Sequence, residues 1–149
     1  MYGKSEHNLD TKGRLCIPAR LTEELGDKFY ITINATADAD PGGEMRPHLT
    51  IFPAAVWAQF QEKIAQCQED DEAAAEAAMI FAYASECTPD SSGRVPLTAE
   101  QREYAGITKA VVVNGNNRTA DIWDADSWQA HQKVTLRPVR VRRTLSRGL

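Results

Sequence analysis

Two rhythms of apolar and polar residues divide the chain. Short runs at 15–17, Phe29–Ile33, 49–52, 110–113 and 120–123 combine apolar and β-branched residues, which predicts strands, and a further short strand is expected at 6–9, ahead of a turn. Between and after them, apolar residues return at helical spacing. Val56, Phe60, Ile64 and Cys67, with Trp57 beside them, predict a helix that is entered at Pro53 and buried along one face. Alanine-rich 72–85 predicts a second helix, and its stretch 79–83 is apolar nearly all round, so it should pack on more than one side. Shorter helices are predicted at Ala19–Leu25 and Ala99–Ala105, closed by Gly26 and Gly106. Asp124 is placed to cap a last helix running through Trp128 and His131.

Turn chemistry punctuates these elements. In Asp10-Thr-Lys-Gly13 the aspartate can accept local backbone hydrogen bonds and the glycine can take a positive φ, so 6–9 and 15–17 are expected to pair as a hairpin. Pro18 stops the second strand because it has no ladder donor. Residues 114–117, Asn-Gly-Asn-Asn, predict a hairpin loop between 110–113 and 120–123. Residues 35–48 are rich in Pro, Gly and Asp and read as a loop.

The pattern occurs twice. At a constant offset of 80, residues 5–26 and 85–106 agree at eight of twenty-two positions: Ser5/Ser85, Glu6/Glu86, Asp10/Asp90, Gly13/Gly93, Arg14/Arg94, Ala19/Ala99, Glu23/Glu103 and Gly26/Gly106. A match of this kind marks two copies of one unit, so 86–95 should repeat the first hairpin. The ends also correspond, since IFPAAVW at 51–57 parallels IWDADSW at 122–128 at an offset of 71. The nine extra residues of the first unit fall in its long loop, where insertions are tolerated.

Length and composition narrow the class. A chain of 149 residues can bury roughly 70% of its unfolded surface, and 42% hydrophobic with 26% charged residues is ordinary for a globular protein. No window is apolar enough for a membrane span, which predicts a cytoplasmic protein. Cys16, Cys67 and Cys87 have neither disulfide nor zinc spacing and are expected to be reduced and mostly buried. The net charge of -4 hides a segregation. Residues 1–20 carry Lys4, Lys12, Arg14 and Arg20 against Glu6 and Asp10, whereas 62–76 holds six acids against Lys63. From 137 onward there are five arginines and no acid. Such a chain can be strongly positive in one place while negative in total.

The repeated D-x-x-G-R is the strongest candidate for chemistry. Asp10 and Asp90 can cap their turns, with Gly13 and Gly93 supplying the backbone geometry, and Arg14 and Arg94 can pair with those aspartates. An arginine directed outward could instead clamp a phosphate or the O6/N7 edge of guanine. Lys12 and Lys4 strengthen that case for Arg14, while Ser91 and Ser92 leave Arg94 the weaker electrostatic candidate. An enzyme has little to draw on. His7, His48 and His131 sit in unrelated contexts and read as surface or packing residues, and no phosphate-binding glycine loop occurs. The acids at 69–72 read as a solvated helix junction and not as a metal site. Trp57, Trp123 and Trp128 read as core anchors, and the C-terminal arginines as a solubilising tail or a nonspecific grip on a nucleic-acid backbone.

LDTKGRLCIPARLTEELGDKF, the second D-x-x-G-R, ASEC before it, REYAGITKAVVV after it and the final IWDADSW together resemble the MraZ family of bacterial transcriptional regulators over about residues 4–131. The resemblance implies an α+β fold of two pseudo-symmetric SpoVT-AbrB-like units sharing a core, each a swapped-hairpin element of the double-split β-barrel kind with flanking helices. The units would span 4–57 and 83–128, with a helical connector at 58–82 and a basic, disordered tail at 134–149. It further implies a homo-oligomeric ring of several subunits that binds short G-rich direct repeats of double-stranded DNA upstream of the division and cell-wall gene cluster. Such a protein would be nucleoid-associated and would need no catalytic residue, cofactor, metal or small-molecule substrate. By position, the family's DNA-contacting arginine falls on Arg14, with Lys12 next to it. Lys4 and Arg20 join them on local charge, and Arg94 follows as the counterpart of Arg14. The second copy has Pro96 and Thr98 where the family tends to show an aliphatic residue and proline, which predicts a shortened strand after Arg94. One turn buries too little for tight binding, since specific DNA sites involve ~1,000 Å² or more, and a ring would supply the difference through multivalency. A different class of function is an oligomeric protein-interaction module in which the D-x-x-G-R turns are only structural and 79–83 is the partner surface.

Overall fold

The computed structural model describes residues 1–34, 46–66 and 71–136. The expectations for the loop up to residue 45, for Cys67, for the acids at 69–70 and for the tail arginines lie outside the described residues. The rest forms strands β1 (Lys4–Asn8), β2 (Arg14–Cys16), β3 (Phe29–Ile33), β4 (Leu49–Pro53), β5 (Ser85–Cys87), β6 (Arg94–Pro96), β7 (Ala110–Asn116) and β8 (Thr119–Asp124). The helices are α1 (Ala19–Leu25), α2 (Ala54–Gln66), α3 (Asp71–Ala82), α4 (Ala99–Ala105) and α5 (Ala125–Thr135). The fold is therefore α+β, and the predicted elements are present nearly at their predicted places.

The strand pairing overturns the predicted hairpins. β2 pairs with β6, its counterpart in the other repeat, while β1 pairs with β7 and β5 with β3. All three ladders are antiparallel and join the first repeat to the second. A three-residue strand beside a four-residue turn has little apolar surface to bury in a local hairpin, and a lone two-stranded ribbon is marginal in water. Pairing Leu15 with Val95 instead places both side chains at 0% exposure in a common core.

The main sheet has the order β1-β7-β8-β4-β3-β5 and is open, with β1 and β5 at its edges, rather than closed into a barrel. Two pairings lie on the pseudo-two-fold axis that relates the repeats, one in this sheet and one in the separate β2–β6 ribbon. Thr50 stands opposite Asp121, its own counterpart at the offset of 71, and Leu15 stands opposite Val95, its counterpart at 80. Because side chains alternate along a strand, the sheet has two distinct faces. Ile31, Leu49, Ile51, Val111, Val113 and Ile122 meet Leu15, Val95 and the α1 residues Leu21 and Leu25 in the core. The opposite face carries α2, α3 and α5. There Trp57 stacks on Tyr30 and meets Phe52, Phe60 and Phe81, while Trp123 stacks with both His48 and His131.

The two edges are fastened by unlike residues. At β1 the Arg20 guanidinium donates to Tyr2 O at 3.1 Å, to Val113 O at 2.8 Å and to Ser5 Oγ. At β5 the buried Gln101 amide donates to Ile31 O (3.1 Å), Tyr83 O (2.8 Å) and Ser85 Oγ (3.0 Å). The ladders differ too. Ser5 is opposite Val113, so strict repetition would place Ser85 opposite Ile33, but it stands opposite Ile31. A two-residue slide preserves which side chains face the core. Leu9 continues the first ladder by donating to Lys109 O at 2.9 Å, whereas its counterpart Pro89 has no N–H to give.

Several expectations need correction. The β7–β8 turn is Asn117-Arg118, with Asn117 at φ 65°, because residues 114–116 are paired in the ladder. β6 is as long as β2, and Thr98 caps α4 by accepting from the Gln101 N–H while its own N–H is bonded by the Gln101 side chain. Cys16 is exposed, since the β2–β6 ribbon turns alternate side chains outward; Cys87 is buried. Of the tryptophans, Trp57 and Trp123 are buried and Trp128 is half-buried. α5 continues to Thr135, into the predicted tail. Met79 and Phe81 are exposed, so the stretch at 79–83 lacks the all-round packing its composition predicts. Among the described residues no helix is long and apolar enough to cross a membrane.

Candidate nucleic-acid interface

The two D-x-x-G-R turns form by the same local bonds. Asp10 Oδ1 accepts the N–H groups of Lys12 and Arg14, both at 2.9 Å, and Asp90 Oδ1 accepts those of Ser92 and Arg94 at the same distance. Each turn closes with the glycine N–H on the aspartate carbonyl, at 3.0 Å for Gly13 and 2.9 Å for Gly93. Gly13 and Gly93 have φ of 74° and 77°, the left-handed region that glycine enters without steric cost. Asp10 and Asp90 are therefore spaced to bond their own turn backbone.

Their second oxygens hold the arginines. Arg14 Nε lies 2.7 Å from Asp10 Oδ2 and Arg94 Nε lies 3.1 Å from Asp90 Oδ2. The β2–β6 ladder then brings the pairs together, so that Arg14 Nη1 is 3.8 Å from Asp90 and Arg94 Nη1 is 3.7 Å from Asp10. Ile17 N–H to Gly93 O (2.9 Å) and Leu97 N–H to Gly13 O (3.1 Å) extend the crossing symmetrically. Asp10 and Asp90 both sit below the usual carboxylate pKa, chiefly because the Arg14 and Arg94 backbone N–H groups, respectively, stabilise the anion. The side chains of Arg14 and Arg94 are 27% and 36% exposed, so their guanidiniums are fixed on one side and open on the other. A fixed, planar, partly open guanidinium suits bidentate recognition of an anion or of a guanine edge.

The remaining predicted residues lie in different places. Lys12 projects from the first turn and is exposed. Lys4 is exposed at the far end of β1, opposite Asn114, with the length of that strand between it and the turn. Arg20 is exposed as a residue, with its donors committed to the β1–β7 edge. The structure thus brings together Arg14, Lys12, Arg94 and the four turn residues, and separates Lys4 and Arg20 from them.

One residue at this place escapes the sequence reading. Arg102, in the last turn of α4, lies so close to Gly13 that a Cβ there would be 3.0 Å from its Cζ and 3.2 Å from its Nε. Nothing local marks it, since it is 89 positions from Gly13 and becomes a neighbour only through the crossed ladder.

Comparison with known proteins agrees with the repeat. A model of the family described as MraZ protein matches residues 1–78 and 80–137. A protein of Leuconostoc mesenteroides named Transcriptional regulator MraZ is 37% identical over 134 residues, covering 89% of this chain and 87% of that protein. Proteins of the same name from Carboxydothermus hydrogenoformans and Lactiplantibacillus plantarum are 37% and 35% identical over 127 and 140 residues, covering 85% and 90% of this chain and 82% and 89% of theirs.

Proposed function

The chain belongs to the MraZ family, and on that premise we propose that it is a sequence-specific, double-stranded-DNA-binding transcriptional regulator without catalytic activity. The observation that carries the proposal is the Asp10–Arg14–Asp90–Arg94 quartet, which holds two half-open guanidiniums side by side at a protein surface. Its target is a set of short G-rich direct repeats upstream of the division and cell-wall gene cluster. Arg14, with Lys12, is the principal contact, and Arg94, Lys4 and Arg20 are secondary. The named function of the relatives supports this reading.

The chain works as a ring of several subunits, in the cytoplasm and associated with the nucleoid. Residues 4–57 and 83–128 act as SpoVT-AbrB-like units of the swapped-hairpin kind, 58–82 as their connector and 134–149 as a basic tail. The exchange of β1 and β5 between the halves supports that assignment. The exposed Met79 and Phe81, beside an open apolar groove of about 700 Å³ between α2 and α3, support self-association. On a ring, each further DNA repeat binds at high effective concentration.

A gel-shift titration of the full chain on a duplex with several G-rich repeats tests the proposal. Arg14→Ala should abolish retardation while leaving the solution mass unchanged, and affinity should fall steeply with salt and with fewer repeats. Equal binding to the repeats and to random DNA would instead favour an oligomeric interaction module whose turns are structural.

A further inference from the structure

The quartet is electrically neutral. Two guanidiniums face two carboxylates, and each guanidinium is within ion-pair distance of both. It can offer directed hydrogen bonds, but long-range attraction to DNA grows with the number of cations left to neutralise phosphates. That charge must come from elsewhere.

At the first turn it has two sources. Lys12 is exposed at the tip, and Arg102 arrives from the second repeat to lie against Gly13, with Nη1 3.3 Å from where a Cβ would stand. Arg102 is half-buried, and its Nε donates to Leu97 O at 3.3 Å, which fixes the root of the guanidinium. Among the described residues it has no ion pair. The second turn has neither source. The counterpart of Lys12 is Ser92 and the counterpart of Arg102 is Thr22. A Cβ on Gly93 would meet nothing within 4 Å, and Glu23 and Asp27 line the cleft beside Asp90.

We propose that Arg102 is a phosphate-binding residue of the first turn, lent to it by the second repeat, so that the DNA-reading face is built from both halves of the chain. The proposal rests on the DNA-binding function above. A half-buried guanidinium held at Nε, with no ion pair among the described residues to occupy its Nη groups, is a fork for phosphate, and a phosphate contact positions the protein without reading bases. Losing it weakens binding to every sequence alike.

The test is a salt titration of binding for the full chain on the multi-repeat duplex and on a scrambled duplex, with Arg14→Ala, Arg102→Gln, Arg102→Lys and Thr22→Arg beside the parent. Arg102→Gln should weaken both duplexes by a similar factor, on the order of tenfold at low salt, and reduce the slope of log affinity against log salt by about one. Arg102→Lys should keep the slope, and Thr22→Arg, which delivers a guanidinium to the open space at Gly93, should raise it by about one. Should Arg102→Gln melt early, Arg102→Met, which retains the apolar stem, replaces it. Parental affinity and slope in the Arg102 variants, with binding lost in Arg14→Ala, would overturn the role of Arg102 and leave the DNA-binding function standing. Parental binding in Arg14→Ala would remove Arg14 from the reading role, whereas a parent protein that binds neither duplex, or both equally, would overturn the sequence-specific DNA-binding function itself. A loss confined to the G-rich duplex at unchanged slope would show that Arg102 is not a phosphate contact.

Discussion

Leu15 and Val95 face each other in the β2–β6 ladder, and each is the other's counterpart in the repeat. Neither is exposed, so the most buried pair of the ribbon is also the place where the two halves of the chain are sewn together. β1 and β5 complete the opposite half's part of the sheet, so each half keeps one ladder of its own, β3–β4 or β7–β8, and leaves its two other strands to be paired by its counterpart.

From that seam it follows that the protein unfolds as one unit. Leu15→Ala should cost about 2–5 kcal/mol, as for other large-to-small changes in a packed core. Urea denaturation should show one transition moved to lower urea with its slope unchanged. Two resolved transitions would mean that the halves are independent.

The two turn glycines offer a controlled comparison. Gly13→Ala and Gly93→Ala both place a Cβ in the left-handed region, at a cost of about 1–2 kcal/mol. Only Gly13→Ala also drives that Cβ to 3.0 Å from Arg102. Thermal melts should therefore rank Gly13→Ala as the more damaging, and the difference should shrink in an Arg102→Ala background.

Gln101 sits in the core where the first repeat has Leu21, and it is fully buried. Its amide satisfies the carbonyls of Ile31 and Tyr83 and fastens β5 to β3. Gln101→Leu copies the first repeat but leaves those carbonyls without this donor, at a cost of about 1–3 kcal/mol. Faster hydrogen exchange at β5 than at β1 would accompany it.

Asp121 gives the protein a pH dependence of defined sign. It lies on the pseudo-axis, bonded by Thr50 Oγ1 at 3.2 Å and by Asn114 and Asn116 at 3.5 and 3.4 Å, and burial raises its pKa from 3.8 to about 6. Between those values the folded chain holds a proton that the unfolded chain has released. Stability therefore falls as pH rises through this window, by about 3 kcal/mol at most, and is at its lower plateau at pH 7. Asp121→Asn should remove that slope. Burial lowers the pKa of His48 and works in the opposite direction, so the quantity to follow is the difference between parent and variant across pH 4–7. Asp10 and Asp90, held below the usual carboxylate range, lend support that is complete above their unfolded pKa and is lost only as pH falls through their lowered values.

The sequence by itself determined the elements, the repeat and the turns. Strand and helix patterns, the caps at Gly26 and Gly106, and the bonds from Asp10 to Lys12 and Arg14 depend on residues within a few positions of one another, and those can be read from their spacing. What only the tertiary structure decided was partnership. Whether β1 pairs with β2 or with β7 depends on which apolar surfaces are covered when the whole chain collapses, and strands with equivalent sequences offer equivalent edges. The crossing of Arg14 to Asp90, the approach of Arg102 to Gly13 and the burial of Asp121 against Thr50 all follow from that choice. Each joins residues about 70 to 90 positions apart, and local spacing carries no record of contacts made by burying surface between distant parts of a chain.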